Sequence, residues 1–326
     1  MVGDTVTTGF RKPKRDGVYQ TGQLAAPPVP SPAPGRNRLV GHLFDRQPQP
    51  ERTSLAESQI SIHYAPQDPL ERIHATLQRH GLRFDALSRD DIAAFDEFHI
   101  GGRAQTRALA ERARIDPETR VLDLGAGIGG PARTLAEEYR CRVTAVDLTE
   151  AFCRINALLN AQLGFGDRID CLCADAVKLP FRAGSFDLVW FQHLTGNIAD
   201  LAAVFAEVRR VLRSDGRMVF HEAVRGETSE LHYPVFWAGA ADHDNLVTAA
   251  RLEAEIERAG LVPEFRIDTT EESRQLFRSA LATPRAERPL LGLSVLVPDA
   301  LVKAKNMLRN LESGALEVIQ AGYRIG

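Results

Sequence analysis

Two aspartates and a run of glycines carry the clearest chemistry in this sequence. Asp123 stands just before a turn that contains Gly125, Gly127 and Gly129, and glycine lets a backbone bend sharply and approach a ligand closely. Asp147 ends a second, β-branched stretch about twenty residues beyond the turn, the separation at which a parallel strand brings a carboxylate to a ribose diol. This pattern indicates a nucleotide-like ligand at the first turn of an α/β sheet.

A series of strands and helices must position these residues. Regular alternation of strands with helices predicts a parallel, doubly wound sheet with helices on both faces. Asp175 follows the third strand, and Gln192 and His193 come just beyond the fourth, at the carboxyl edge where open α/β sheets bind ligands. A short apolar strand is predicted ahead of the glycine turn within the run 119–131. The other predicted strands are 141–148, 168–174, 185–191 and 216–222, and the predicted helices between them are 132–139, 149–163 and 200–212.

Additional segments flank this alternation. Residues 1–55 are rich in proline and carry a short basic cluster, which predicts a disordered or extended arm. Residues 56–114 are predicted to form helices, one of which opens at Asp68 or Pro69 while another is capped by Ser88. Past residue 222, the sequence predicts an aromatic-rich insertion at 232–237, helices at 248–259 and 298–311, and strands at 264–268 and 316–323.

The composition favours a globular protein over a nucleic-acid-binding or membrane-spanning one. The chain has 326 residues, 44% hydrophobic and 25% charged, with a formal net charge of −3. Those values are ordinary for a globular protein and give no basic surface for nucleic acid. No apolar run approaches the roughly 20 residues that cross a bilayer, and no signal peptide is visible. Because no histidine accompanies the four cysteines at zinc spacing, we expect reduced thiols, a cytoplasmic location and no metal site. The triplet 242–244, Asp-His-Asp, is expected to be a solvated loop.

Five segments of the sequence resemble one known family. They are VLDLGAGIGG at 121–130, TAVDLT at 144–149, ADAVKLPF at 174–181, SFDLVW at 185–190 and EVRRVLRSDGRM at 207–218. In this order and spacing they are similar to the class I S-adenosylmethionine-dependent methyltransferases, in the branch of ubiquinone/menaquinone-type and small-molecule enzymes. Residues 95–103, 192–193 and 197–198 further resemble a subgroup near the sarcosine/dimethylglycine N-methyltransferases. For the glycine turn taken alone, an NAD-binding Rossmann domain is the alternative.

This resemblance implies a fold and a cofactor. The fold is a Rossmann-like doubly wound sheet of seven strands, the last antiparallel, with an N-terminal helical cap at 56–114. The methyltransferase domain would extend over 115–326, with lid elements around 225–247 and 271–313. The implied cofactor is S-adenosyl-L-methionine and the implied partner is a small-molecule methyl acceptor. We expect neither nucleic acid nor a membrane as partner, and a homodimer is one assembly to test.

The cofactor contacts that the resemblance implies fall on the glycine turn and at the ends of three strands. Asp123 would meet the cofactor's ammonium or order the loop, and Asp147 would accept from the ribose hydroxyls. Asp175 would accept from the adenine amino group or cap a helix, and His99 would contact the ligand or be a buried structural residue. The expected cofactor-binding residues are Asp123, Gly125, Ala126, Gly127, Gly129, Asp147, Leu148, Asp175, Ala176, Gln192 and His99.

Candidate acceptor contacts lie beyond the fourth strand and in the aromatic insertion. His193 is a candidate catalytic base because a histidine ordinarily has a pKa near neutrality, and a packing role is its alternative. Asn197 would orient the same loop, and Tyr233 and Trp237 would form a wall of the pocket, where cation–π contact suits an amine. We therefore expect methyl transfer that slightly favours an amine, with O- or C-methylation in secondary metabolism as the alternative. An NAD-dependent oxidoreductase and a non-catalytic cofactor-binding protein are the remaining hypotheses.

Overall fold

Three helices precede the sheet in the computed structural model, which describes residues 68–227, 230–284 and 292–326. They are α1 (Pro69–Arg79), α2 (Arg89–Asp96) and α3 (Gly102–Ala113). Asp68 caps α1 by accepting a hydrogen bond from the Leu70 N–H, and Ser88 forms a capping box with Asp91 at the start of α2. Both helix starts agree with the sequence. The predicted arm at 1–55 and residues 56–67 of the predicted cap lie outside the described residues.

The described chain forms one mixed sheet of seven strands. The strands are β1 (Arg120–Leu124), β2 (Arg142–Asp147), β3 (Ile169–Cys173), β4 (Phe186–Gln192), β5 (Leu212–Arg225), β6 (Leu261–Asp268) and β7 (Leu316–Ile325). Their order across the sheet is β3-β2-β1-β4-β5-β7-β6, and β7 pairs antiparallel with both of its neighbours. The chain order reverses between β1 and β4, which creates the crevice where doubly wound sheets bind ligands. The predicted fold class, a Rossmann-like sheet with an antiparallel last strand, is confirmed.

Helices cover both faces of this sheet. Those that follow β1 in the chain are α4 (Gly130–Glu138), α5 (Glu150–Gln162), α6 (Leu201–Val211), α7 (Ala249–Arg258), α8 (Thr270–Ala282) and α9 (Ala300–Ser313). Val121 of β1 is buried in a cluster with Leu109 of α3 and Leu135 of α4. Leu122 and Leu124 belong to a second cluster with apolar side chains of α6 and α7, as alternation along a strand requires. Asp123, Asp147 and Gln192 stand at or next to the carboxyl ends of their strands.

Strand β6 begins at Leu261, three residues before the predicted start at 264, and two further elements differ from the sequence expectation. β5 begins at Leu212 rather than at residue 216, because Leu212 already pairs with Phe186 of β4 ahead of a register shift. The helix α8 was anticipated only as part of a lid around 271–313. Its first turn contains Glu271 and Glu272, which favour a helix N-terminus. The division of the chain into a cap and a methyltransferase domain at 114 and 115 stays a prediction.

Candidate active site

A cavity of about 750 Å³ lies at the carboxyl ends of the central strands. One side of it, here the glycine-loop half, is formed by residues at and beyond the ends of β1, β2 and β3. The other side, the lid half, is formed by α8, α9, residues 292–297 and the aromatic insertion. Of the expected cofactor contacts, those that border the cavity are Asp123, Gly125, Ala126, Gly127, Asp147, Leu148, Asp175, Ala176, Gln192 and His99. Gly129 is the exception.

The glycine loop holds its shape with its own amides. The N–H groups of Gly125 and Ala126 donate to the Val146 carbonyl at 2.8 and 3.0 Å, and the Gly127 N–H donates to Asp147 Oδ2 at 2.8 Å. A Cβ added at Gly127 would approach the ring of Phe98 to 3.0 Å, so that position requires glycine. The loop therefore presents a close-packed backbone to the cavity, while these three amides are bound within the protein.

Gly129 serves the packing beneath the loop instead. Its φ of 86° is left-handed, and a Cβ there would come within 2.0 Å of Asn156 Oδ1. Asn156 in turn accepts from the guanidinium of Arg133 at 3.2 Å. Gly129 thus packs against Asn156 of α5 and does not border the cavity, and its expected ligand contact stays a prediction.

Arg133 is a fully buried cation next to the glycine loop. Its guanidinium pairs with Asp96 at 3.0 Å and donates to Asn160 at 2.8 Å and to the Ile128 carbonyl at 2.6 Å. Burial lowers the pKa of Arg133, and the adjacent Asp96 opposes that shift. This ion pair joins α4, which starts the glycine-loop half, to the end of α2.

Asp147 and Asp175 combine a loop-holding role with a face on the cavity. Asp147 accepts from Gly127 through Oδ2 and from Thr149 through Oδ1, each at 2.8 Å, and burial raises its pKa. Asp175 Oδ1 accepts from the Val177 N–H at 3.0 Å, but a turn rather than the expected helix follows, so this contact caps the turn. Both carboxylates border the cavity as well, and each oxygen can accept more than one hydrogen bond.

Asp123 differs from Asp147 and Asp175 because one of its carboxylate oxygens makes no hydrogen bond to the described residues. The side chain is buried, and its Oδ2 has no hydrogen-bond partner among the described residues. Burial, together with the nearby Asp147 and Glu97, raises the pKa of Asp123 well above its ordinary value. A buried carboxylate oxygen that borders a cavity without a partner is a binding position for a cationic donor.

Gln192 and His99 belong to one chain of hydrogen bonds. Trp190 Nε1, which can only donate, bonds to Gln192 Oε1 at 3.1 Å, so Gln192 Nε2 donates to His99 Nδ1 at 3.2 Å. His99 Nε2 then carries the proton and donates to Thr106 at 3.0 Å, which donates to Glu97 at 2.7 Å. Both side chains border the cavity, but their polar atoms are occupied within the protein.

His193 is held by the neighbouring strand β5. The Ala223 N–H donates to His193 Nδ1 at 3.2 Å, and the residue has a left-handed φ of 54°. Burial, and after it the nearby His99, lowers the pKa of His193 to about 3. At neutral pH the ring is therefore uncharged, with its proton on Nε2, an atom shielded from solvent and without a partner among the described residues. This geometry favours a hydrogen-bond donor over the general base that the sequence suggested.

Glu222 of β5 is a residue that the sequence analysis missed. Its buried carboxylate accepts from the Leu194 N–H at 2.6 Å and from the Thr195 hydroxyl at 2.8 Å, and thereby fixes the loop that carries His193. Burial raises the pKa of Glu222 to about 7, against the opposing effect of these donors. One signal was available, since Glu222 ends the predicted fifth strand as Asp147 ends the second.

Asp244 organises the aromatic insertion. It accepts from the Tyr233 hydroxyl at 2.6 Å, from Trp237 Nε1 at 2.9 Å and from Arg225 at 2.7 Å, and its side chain is fully buried. The expectation of a solvated triplet is wrong for this residue, because three donors converge on it. Trp237 borders the cavity, as predicted, whereas Tyr233 does not and instead directs its hydroxyl to Asp244. Asn197, the other expected acceptor contact, does border the cavity.

The lid half is formed almost entirely by apolar side chains. Phe236, Leu276 and Phe277 border the cavity, as do Leu301 and Met307. Arg274 of α8 donates to the carbonyl of residue 311 on α9 at 3.1 Å, which ties the two helices together outside the cavity. Within the described ranges, no group of three metal-ligating side chains is found. No helix there is both long and apolar enough to cross a bilayer.

Comparison with known proteins identifies this architecture. A family model described as a methyltransferase domain matches residues 122–220, which include the glycine loop, Asp147, Asp175 and His193. Over this range the chain carries a methyltransferase domain. The predicted resemblance to the class I S-adenosylmethionine-dependent methyltransferases is confirmed.

Two bacterial relatives of this methyltransferase chain are N-methyltransferases. It is 33% identical over 142 residues, 44% of its own length, to the glycine/sarcosine/dimethylglycine N-methyltransferase of Actinopolyspora halophila. It is 36% identical over 125 residues, 38% of its length, to the sarcosine/dimethylglycine N-methyltransferase of Halorhodospira halochloris. The matches span 24% and 45% of those two proteins, less than half of either.

A solved methyltransferase shares the fold over most of the chain. The geranyl diphosphate C-methyltransferase of Streptomyces coelicolor superposes with a TM-score of 0.63 and 17% identity. The superposition covers 85% of this chain and 100% of that one. At this identity the likeness concerns the arrangement of helices and strands.

Proposed function

We propose that this chain transfers a methyl group from S-adenosyl-L-methionine to a small-molecule acceptor. The observation that carries the proposal is that Asp123, Asp147 and Asp175 border one cavity beside the glycine loop. They come from three adjacent parallel strands or the residues just after them, at the reversal of strand order. The N-methyltransferases among the relatives support the same reaction class.

The residues of the glycine-loop half fit this cofactor. A cofactor ammonium would give the buried Asp123 Oδ2 both the hydrogen bond and the positive charge that it lacks. Asp147 would accept from the ribose hydroxyls through lone pairs left free by Gly127 and Thr149. Leu148 and Ala176 would pack on the adenine ring, with Asp175 as acceptor for its amino group. When bound, S-adenosyl-L-methionine supplies a methyl group that its sulfonium charge already activates.

The remaining task of the protein is to align the acceptor and exclude water. His193 would donate its Nε2–H to a polar atom of the acceptor, because Ala223 holds Nδ1 and the ring stays neutral. Glu222 is a positioning residue that fixes the loop on which His193 stands. Asn197 borders the cavity on the same loop and would contact the acceptor.

An amine is slightly favoured as the acceptor group. The charged side chains on the described part of the cavity lining are carboxylates, and Phe236 and Trp237 add aromatic rings. Both features favour a cationic or neutral amine. O- or C-methylation is the second candidate, which the relatedness to C-methyltransferases such as the sterol 24-C-methyltransferase of Eremothecium gossypii supports.

A binding comparison followed by a transfer assay tests the proposal. Calorimetry should show binding of S-adenosylhomocysteine and no binding of NAD at the same concentration. Tritiated methyl groups should then move from S-adenosyl-L-methionine to a member of an acceptor panel of amines, alcohols and activated carbons. Binding of NAD in place of S-adenosylhomocysteine would overturn the proposal in favour of an oxidoreductase.

A homodimer, a cytoplasmic location and the lack of a nucleic-acid partner stay predictions. The mass of one chain is 35.9 kDa, and light scattering of the purified protein should give twice this value. A gel-shift assay with duplex and single-stranded DNA should show no complex.

A further inference from the structure

The lid half offers an acceptor far more apolar contact than polar contact. Leu276 and Phe277 of α8 and Leu301 and Met307 of α9 border it, and Val297 lies between the two helices in the chain. Removing such side chains from water is worth about 25 cal/mol for each Å² of apolar area. A ligand that covers these surfaces with its own apolar atoms therefore gains most of its binding free energy here.

The mouth of the lid half is apolar as well. Leu276 is 41% exposed and Leu301 is 47% exposed, and both border the cavity. Large aliphatic side chains that face solvent at the entrance of a cavity are typical of a site for an apolar ligand. Val302, the next residue of α9, is 48% exposed but does not border the cavity.

The charges around the cavity disfavour an anion. Asp123, Asp147, Asp175 and Glu97 all border it. The proposed cofactor would cover the three aspartates, and no lysine or arginine is among the described residues that border the cavity. A carboxylate or phosphate on the acceptor would therefore find no cationic side chain there, and a buried charge without an opposite partner is strongly unfavourable. A neutral group, or a cationic group beside the carboxylates, does not carry this free-energy cost.

We propose that the acceptor is a hydrophobic molecule without an anionic group, whose apolar body lies between α8 and α9 while its reacting atom lies near His193. This inference rests on the proposed function. It separates this chain from the N-methyltransferase relatives, whose names give the small amino acids glycine, sarcosine and dimethylglycine as acceptors. Such amino acids carry a carboxylate and would leave the apolar surface of the lid half uncovered.

A matched pair of fluorescent probes tests the chemical class. N-phenylnaphthylamine is neutral, and anilinonaphthalene sulfonate has the same rings with an added sulfonate. Each is titrated into the full chain saturated with S-adenosylhomocysteine. The neutral probe should bind at least about tenfold more tightly, because tenfold corresponds to about 1.4 kcal/mol and an unpaired buried charge costs more. Equal or tighter binding of the sulfonate would overturn the inference.

Displacement of the neutral probe then compares three eight-carbon compounds that differ in their polar head group, together with sarcosine. Octanol and octylamine should displace it, whereas octanoate and sarcosine should not at the same concentrations. Displacement by octanoate or sarcosine as effective as that by octanol would overturn the inference.

Two neighbouring variants locate the probe. Leu301→Glu should lower the affinity for the neutral probe at least about tenfold. Val302→Glu, on the same helix turn, should leave that affinity within a factor of about two of the unmodified chain. Equal effects of the two variants would place the probe outside the cavity and overturn the inference. Binding of S-adenosylhomocysteine, followed by calorimetry, reports on the proposed function separately. If S-adenosylhomocysteine binds and the probe results fail, only the acceptor class is wrong.

Discussion

In the glycine-loop half, backbone amides and carboxylates fix each position by hydrogen bonds, whereas in the lid half apolar side chains of two helices meet the cavity. The first half has directional contacts such as that from Gly127 to Asp147, and its glycines leave no room for a Cβ. The second has partly exposed leucines that a ligand could cover. Directional contacts tolerate little change, while apolar surfaces accept ligands of different shape. Under the proposed function, the glycine-loop half would determine which cofactor binds and the lid half would select the acceptor.

The largest loss of stability should come from a methyl group added to the glycine loop. Gly129→Ala places a Cβ against Asn156 and strains a left-handed backbone, so the free energy of unfolding should fall by about 2–4 kcal/mol. Gly164 is also left-handed, at φ 78°, but no atom lies within 4 Å of its added Cβ. Gly164→Ala should therefore cost only about 1 kcal/mol. Urea denaturation measures the free energy of unfolding of both variants. Equal losses would show that the glycine loop is no more constrained than the turn at Gly164.

Removing a charge from the glycine-loop half should weaken binding of the cofactor. Asp147→Asn replaces a carboxylate that holds Gly127 and Thr149 and faces the cavity, so binding of S-adenosylhomocysteine should weaken by about 1–3 kcal/mol. Asp170→Asn on β3 is the control, since that carboxylate does not border the cavity. Calorimetry compares the two variants with the unmodified chain. An unchanged affinity in Asp147→Asn would refute its contact with the ribose.

The state of His193 should appear in the pH dependence of stability. Its pKa of about 3 lies below the ordinary 6.5, so the unfolded chain binds more protons between these values and stability falls as the pH drops below 6.5. Asn tolerates the left-handed backbone and does not titrate. From pH 6.5 to 5, the free energy of unfolding of His193→Asn should improve relative to the unmodified chain by on the order of 1 kcal/mol. A difference that does not change with pH would show that folding does not lower the pKa of His193.

The smallest effect should come from the lid half. Leu276→Ala removes a side chain that is 41% exposed, so the free energy of unfolding should change by no more than about 0.5 kcal/mol. Affinity for S-adenosylhomocysteine should stay within a factor of about two, while the neutral probe binds several times more weakly. If this variant lost as much stability as Gly129→Ala, the lid half would be as constrained as the glycine loop.

The sequence predicted the glycine-loop half well because its signals are local. The turn from Gly125 to Gly129 follows directly on β1, and Asp147 ends the next strand, so alternation and spacing suffice to bring them together. The predicted cofactor residues nearly all border the cavity. Their contacts with the cofactor stay predictions.

The parts that the sequence did not predict depend on residues far apart in the chain. Glu222 reaches the Leu194 amide 28 positions away, and its place at the end of the predicted fifth strand does not indicate which amide it contacts. Tyr233 was expected to face the acceptor, but Asp244 draws its hydroxyl away from the cavity. An aromatic residue in an insertion can pack in several directions, and only the complete fold determines which one it takes.

The buried pair of Arg133 and Asp96 has a consequence for how the ligands enter. Separating α2 from α4 would strand a charge in the protein interior, at a cost of about 3–5 kcal/mol. The N-terminal side therefore acts as a fixed wall rather than as a hinge. We therefore expect α8 and α9 to be the side that moves when the cofactor enters. We accordingly expect an ordered sequence of binding, in which the nucleoside enters first and the acceptor closes the passage behind it.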